Sequence, residues 1–349
     1  MASGDNWVFD LSNLNLHRGD ERSEIPLPSN ALTGNTPGST INRILLSLGG
    51  REWTLIDLTV GKKPLPRSET DGNALVSGML STSVREGESQ ATLEPSADAI
   101  AMLISFATCR DVAAFKCSRV SGDGKNIQPK LRSTKIHLYS EGGSPLINNS
   151  TPGELRSFLE RAYPILQENP QWWLASLDIF VQARMNSFME IRSALLNILL
   201  DRVSGFYPEN RQGGEIDELD VTKLSEVAFK EKVTTLLTEV CPKWTLDFTE
   251  KMVVSYLANC NAKPSFAKGI QRVCGINNLP APTGAFLSTR NKLLHEGTLS
   301  PKNGDAKAYM TQLDWLAARV LMRMLGYEGN YFHQFTGAMQ NLKSELATT

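Results

Sequence analysis

The stretch Leu287-Ser288-Thr289-Arg290-Asn291-Lys292-Leu293-Leu294-His295-Glu296-Gly297 decides how the chain is read. It follows a loop-like segment, residues 280–283. It precedes an apolar stripe at helical spacing: Leu313, Leu316, Ala317, Val320, Leu321 and Met324, with Gly326 just past the predicted helix end. The chain holds four histidines, and one of them follows an arginine by five positions on a predicted helix. Helical geometry sets Arg290 and His295 about 140° and roughly 7.5 Å apart, so they flank one edge. Asn291 lies four before His295 on the same face, placed to orient the imidazole or a bound phosphate. Lys292 is a candidate in support. An imidazole moves protons near neutral pH, and a guanidinium grips phosphate with a planar fork of donors. The pair suits phosphodiester chemistry, but one copy is sparse. Two copies about a two-fold axis would place two histidines and two arginines around one phosphate. One histidine would take the ribose 2′-hydroxyl proton and the other would protonate the leaving 5′-oxygen. The arginines would stabilise the phosphorane.

Upstream of the motif the period is helical. Thr151-Pro152-Gly153-Glu154 reads as a helix start, with a capping Thr, Pro at the first position and Glu at the third. That helix is expected to end near Asn169-Pro170. From 171 to 203, Leu174, Leu177, Val181, Met185, Phe188, Leu195 and Leu199 repeat without Gly or Pro. They predict one long helix on the order of 50 Å. Residues 206–220 form an acidic, Gly-rich connector, and helical patterns follow at 221–240 and 246–261. Long helices with short links imply a bundle over residues 151–349.

Residues 1–150 differ. They are rich in Gly, Pro, Ser and Thr, with short apolar runs. Asn42 to Leu48 and Trp53 to Val60 read as strands joined by Gly49-Gly50. Residues 112–120 and 133–139 are further strand candidates, with a turn signal at Ser121-Gly122-Asp123-Gly124 between them. One helix is expected, capped by Ser96, with Ile100, Leu103, Ile104 and Ala107 on its apolar face. Residues 18–39 and 62–95 read mostly as loop. The fold class is therefore α+β: a β-rich domain with one helix at 1–150, then an all-α bundle at 151–349.

A net charge of -1 and 21% charged residues exclude a global basic field, so any nucleic-acid contact must be local. Lys130, Arg132 and Lys135 on a predicted strand are the local candidates for RNA phosphates; a solvated sheet face is the alternative. The five cysteines are odd in number and never spaced Cys-x-x-Cys, which suits reduced thiols in a cytoplasmic protein. No metal site and no cofactor are expected. Neither phosphate-binding glycine motifs nor a nucleophile elbow occur. No apolar run approaches the roughly 20 residues of a membrane span, so no membrane partner is expected.

The string Arg-Asn-x-x-x-His, followed by Gly297 and a long amphipathic helix, resembles the signature of the HEPN superfamily. The resemblance covers roughly residues 151–326. It implies a helical bundle that dimerises and acts as a metal-independent ribonuclease giving 2′,3′-cyclic phosphate ends. Carried over, Arg290 and His295 are catalytic and Asn291 supports them. Several such nucleases bring an acidic or polar residue from the first long helix into the site. Glu190 is the candidate here, on a stripe with Ser187, Ala194 and Asn197; a water-facing stripe is the alternative. A β-rich front half is similar to the layout of abortive-infection HEPN proteins of anti-phage defence. There the front domain senses or restrains, and a phage-derived or regulatory trigger releases the nuclease. Against this stand two non-enzymatic readings: a catalytically inactive HEPN-like adaptor, and an RNA-binding module.

Overall fold

The computed structural model describes residues 4–14, 21–23, 41–57, 59–60, 63–64, 76–121, 126–131, 145–147, 153–186, 188–206, 231, 234–235, 266–296, 305–333 and 338–342. For residues 21–23, 41–42, 59–60, 63–64, 126–131, 291–296, 305 and 333 it describes the backbone alone. The strands of the front half are β1 (Asn6–Ser12), β2 (Glu21–Ser23), β3 (Ile41–Leu48), β4 (Arg51–Asp57), β5 (Thr59–Val60), β6 (Lys63–Pro64), β7 (Val76–Ser83), β8 (Ala114–Val120) and β9 (Asn126–Leu131). The helices are α1 (Gln90–Thr108), α2 (Glu154–Glu168), α3 (Pro170–Met185), α4 (Met189–Ser204), α5 (Phe266–Ile276), α6 (Gly284–Glu296) and α7 (Asp305–Met324). A hairpin of β10 (Asn330–His333) and β11 (Ala338–Asn341) follows. The fold is mixed, with an antiparallel sheet first and helices after it.

Seven strands pair antiparallel in the order β2-β3-β4-β7-β1-β8-β9. On β3 the side chains alternate: Ile44, Leu46 and Leu48 are buried, while Leu45 is exposed. Across the sheet, Ile44, Leu55, Leu80, Phe9 and Cys117 are successive cross-strand partners, none more than 2% exposed. This row is the floor of the core. Helix α1 packs on β1 and β8, and α2 on β3. Phe106 of α1 meets Phe158 of α2 at 5.8 Å and Phe180 of α3 at 5.0 Å, so three helices share one aromatic cluster.

The β3–β4 turn is the expected Gly49-Gly50, with φ of 59° and 69°, the left-handed pair a two-residue hairpin needs. Two central strands were not expected. β7 lies within the stretch read as loop, and β1 within a segment given no element. The reason for β7 is its polar content. Ser77 Oγ accepts from Leu14 N at 2.6 Å and donates to Leu11 O, and Thr82 Oγ1 donates to Glu52 O at 2.7 Å. These hydroxyls serve the backbone inside the sheet, so they do not mark a loop. Gly78 sits where a Cβ would fall on Leu14 and within 2.9 Å of Ile56 O.

Several helix boundaries also differ. α1 starts after Ser89, so Ser96 lies inside it and does not cap it. α2 starts at Glu154 behind Gly153, whose φ is +87°. Glu154 therefore stands at the first helical position and not the third. Its carboxylate lies 2.7 Å from the Tyr327 hydroxyl and accepts from Asn330 Nδ2 at 3.0 Å. Thr151 and Pro152 lie outside the described residues. The single long helix is two helices, α3 and α4. Asn186 turns extended, and its Oδ1 accepts from Phe188 N at 3.0 Å, a local bond that competes with continuing the helix.

The end of α7 is as expected. Gly326 has φ +71°, its N–H reaches Arg323 O, and the Tyr327 N–H reaches Met322 O, both at 2.9 Å. The β10–β11 hairpin beyond it was not foreseen. It is tied down by the Tyr331 hydroxyl, which accepts from Trp315 Nε1 at 2.9 Å and donates to Gln340 Oε1 at 2.6 Å.

The chain forms two compact units, residues 1–199 with 284–349, and residues 200–283. The boundary expected at 150 falls inside the first unit, where the sheet and α1 to α3 share a core. In the second unit α5 ends on Asn278, whose φ is +52°, with Leu279 N bonded to Cys274 O at 2.7 Å. Gly269 lies so close to Ser204 that a Cβ would meet Ser204 Cβ at 2.9 Å. Apart from a few helical positions at 231, 234 and 235, the patterns at 221–240 and 246–261 lie outside the described residues, as does the strand expected at 133–139.

Candidate active site

The whole string from Arg290 to His295 lies in one uninterrupted helix, α6, which starts right after the 280–283 loop as expected. Phe286 and Arg290, one turn apart, are both buried. Phe286 packs its ring on Tyr309 of α7, with centroids 5.1 Å apart. Arg290 is 9% exposed. For Asn291, Lys292 and His295 the structure places the helical backbone; their side chains lie outside the described residues.

Tyr309, which packs on Phe286 one turn before Arg290, is also bonded to α4. Its hydroxyl donates to Asn197 Oδ1 of α4 at 3.0 Å, and Asn197 Nδ2 donates to Ser193 O at 2.8 Å. Asn197 is 1% exposed. Burial pushes the Tyr309 hydroxyl up to about 12; the bond to Asn197 and the positive charge of Arg290 both pull the other way. The phenol is thus neutral at physiological pH and under the field of the guanidinium.

Comparison with known proteins finds no matching family model, no matching curated protein and no matching solved structure.

Glu190 does not join the buried set. It is exposed in the first turn of α4, as is Ala194, while Asn197 of the same expected stripe turns inward; Ser187 lies outside the described residues. What α4 shows outward is mostly apolar: Phe188 just before its start is 67% exposed, and Met189, Ile191 and Ile198 are exposed as well. Positions 190, 194 and 197 share one helix face, which is exposed at Glu190 and Ala194 and buried at Asn197. Lys130 sits in β9 in register with Cys117, with its backbone alone described. Arg132 and Lys135 lie outside the described residues.

A second buried polar group was missed by sequence reading. Asp314 of α7 takes Arg184 of α3 on one oxygen at 2.7 Å and Arg192 of α4 on the other at 2.6 Å. The Arg184 and Asp314 side chains are each 2% exposed. Its signal was a carboxylate inside the apolar stripe of α7, between Leu313 and Leu316. Burial raises the Cys109 thiol, against the pull of Arg184. The thiol stays protonated and is a poor nucleophile. Among the described residues, no group of His, Cys, Asp or Glu is arranged to hold a metal, and no helix is long and apolar enough to cross a membrane.

Proposed function

We propose that this chain is a metal-independent endoribonuclease of the HEPN type, cytoplasmic and active as a homodimer. His295 acts as general acid or base, Arg290 holds the scissile phosphate, and Asn291 orients them, with Lys292 in support. The products are a 2′,3′-cyclic phosphate and a 5′-hydroxyl. The observation that carries this reading is the placement of the motif. Arg290 through His295 run along one helix, and that helix is docked on α7 by Phe286 and Tyr309, with Arg290 buried one turn beyond Phe286. An arginine held by its surroundings is pre-organised to meet charge that develops in a transition state.

The dimer reading draws on α4. A helix with apolar residues on both its inner and outer sides is normally covered. Phe188, Ile191 and Ile198 on its outer side suit a second copy. The front sheet would sense or restrain, in an anti-phage or toxin role, with a phage-derived or regulatory trigger. Its core is shared with α2 and α3, a continuous path for such control. Lys130, Arg132 and Lys135 remain the proposed RNA contacts of that part.

The burial of Arg290 also favours a second reading, an HEPN-like adaptor or RNA-binding module that does not cut. There Arg290 would serve packing alone. A cleavage assay on single-stranded RNA with EDTA present separates the two. The nuclease cuts, and His295→Ala does not; cutting that survives His295→Ala removes the proposed mechanism.

A further inference from the structure

We infer that two copies of this chain pair α4 on α4, side by side and running the same way, about a two-fold axis that lies along the helices. This rests on the homodimer reading above and gives that dimer its contact and its direction. Of the seven large apolar side chains exposed among the described residues, four stand on or beside α4: Phe188, Met189, Ile191 and Ile198. The exposure is therefore local and not the scatter of an ordinary surface. Together they offer roughly 300–400 Å² of apolar surface, the size of patch that marks an interface. That suffices for the apolar centre of a face of about 800 Å² per partner, whose rim is polar. At about 100° per residue, Ile191, Ala194 and Ile198 fall within about 60° of one another and form a seam. Glu190 and Asp201 flank it on one side, about 50–70° away, and Arg202 flanks it on the other at about 50°. Both acids are exposed and Arg202 is half-buried. The face is thus acidic along one edge and basic along the other, and symmetry selects the direction. A two-fold axis along the helices turns the acidic edge of one copy to the basic edge of the other. Asp201 then stands beside the partner's Arg202, about 1.5 Å apart in height, and the pair forms twice. Ile198 meets the partner's Ile198 near the axis. A two-fold axis across the helices would set acidic edge on acidic edge, with Glu190 beside the partner's Asp201, and like charges oppose that.

Disulfide trapping in the full-length protein reads the direction, with the parent as control for its own cysteines. Two Cα atoms must lie within about 7 Å to be bridged. Ile198→Cys should trap a covalent dimer under a mild oxidant, about tenfold above the parent, because position 198 meets itself. An equimolar mixture of Glu190→Cys and Asp201→Cys should trap no mixed dimer above the parent. All three side chains are exposed, so none of these changes opens the core. Charge exchange gives a second readout, by sedimentation equilibrium. Arg202→Asp should weaken the dimer about tenfold. Adding Asp201→Arg to it should restore the affinity to within about threefold of the parent, since the pair is then reversed and not lost. Failure to trap at 198, trapping between 190 and 201, or a double exchange no tighter than Arg202→Asp alone would overturn this pairing while leaving the homodimer reading in place. A parent that stays monomeric at every concentration would overturn both.

Discussion

The sheet and the helical region around α4, α6 and α7 solve burial in opposite ways. In the sheet the core is a row of apolar partners, Ile44, Leu55, Leu80, Phe9 and Cys117, and its few polar side chains serve the neighbouring backbone. In the helical region polar groups are buried on one another: Asp314 between two arginines, and the Tyr309 hydroxyl on Asn197. Direction matters only in the second. Apolar packing tolerates repacking by shape, whereas a buried polar group works in one orientation with one set of partners.

Near-isosteric changes expose the contrast best. Asp314→Asn keeps the volume and removes the charge that the buried Arg184 and the half-buried Arg192 share. It should cost about 3–5 kcal/mol, read by denaturant unfolding, because the buried Arg184 loses its ion pair with Asp314. A loss near zero would mean that the pair is not buried in solution. Gly78→Ala overfills a tight spot against Leu14 and Ile56 O and should cost about 1–3 kcal/mol by the same measurement. Leu80→Met conserves volume in the middle of the apolar row and should cost about 1 kcal/mol. If Leu80→Met proved as damaging as Asp314→Asn, the two regions would not differ in kind. Ile198→Glu on the outer side of α4 should barely change the stability of one chain. In the proposed dimer, sedimentation would show it halving the mass; an unchanged mass would move the interface elsewhere.

Legibility in the sequence followed the same divide. Strands with clean alternation, such as Ile44, Leu46 and Leu48, announced themselves, and so did the end of α7 at Gly326. β7 did not, because Ser77, Gly78 and Thr82 look like loop chemistry until their backbone partners on β1 and β4 are known. The break between α3 and α4 was hidden since Asn186 makes it without Gly or Pro, through one side-chain bond. The motif helix and its Arg290 were readable from local spacing. Tyr309 and Asn197 were not readable as a pair, since 112 positions separate them and only the fold brings them together.

End-group analysis of cut RNA decides whether Arg290 and His295 carry out the proposed cleavage. The purified full-length protein is incubated with single-stranded RNA and EDTA beside its His295→Ala and Arg290→Ala variants. The proposed chemistry predicts fragments ending in 2′,3′-cyclic phosphate from the parent and intact RNA from both variants. Cutting by His295→Ala, or parent fragments carrying 3′-hydroxyl and 5′-phosphate ends, would contradict it.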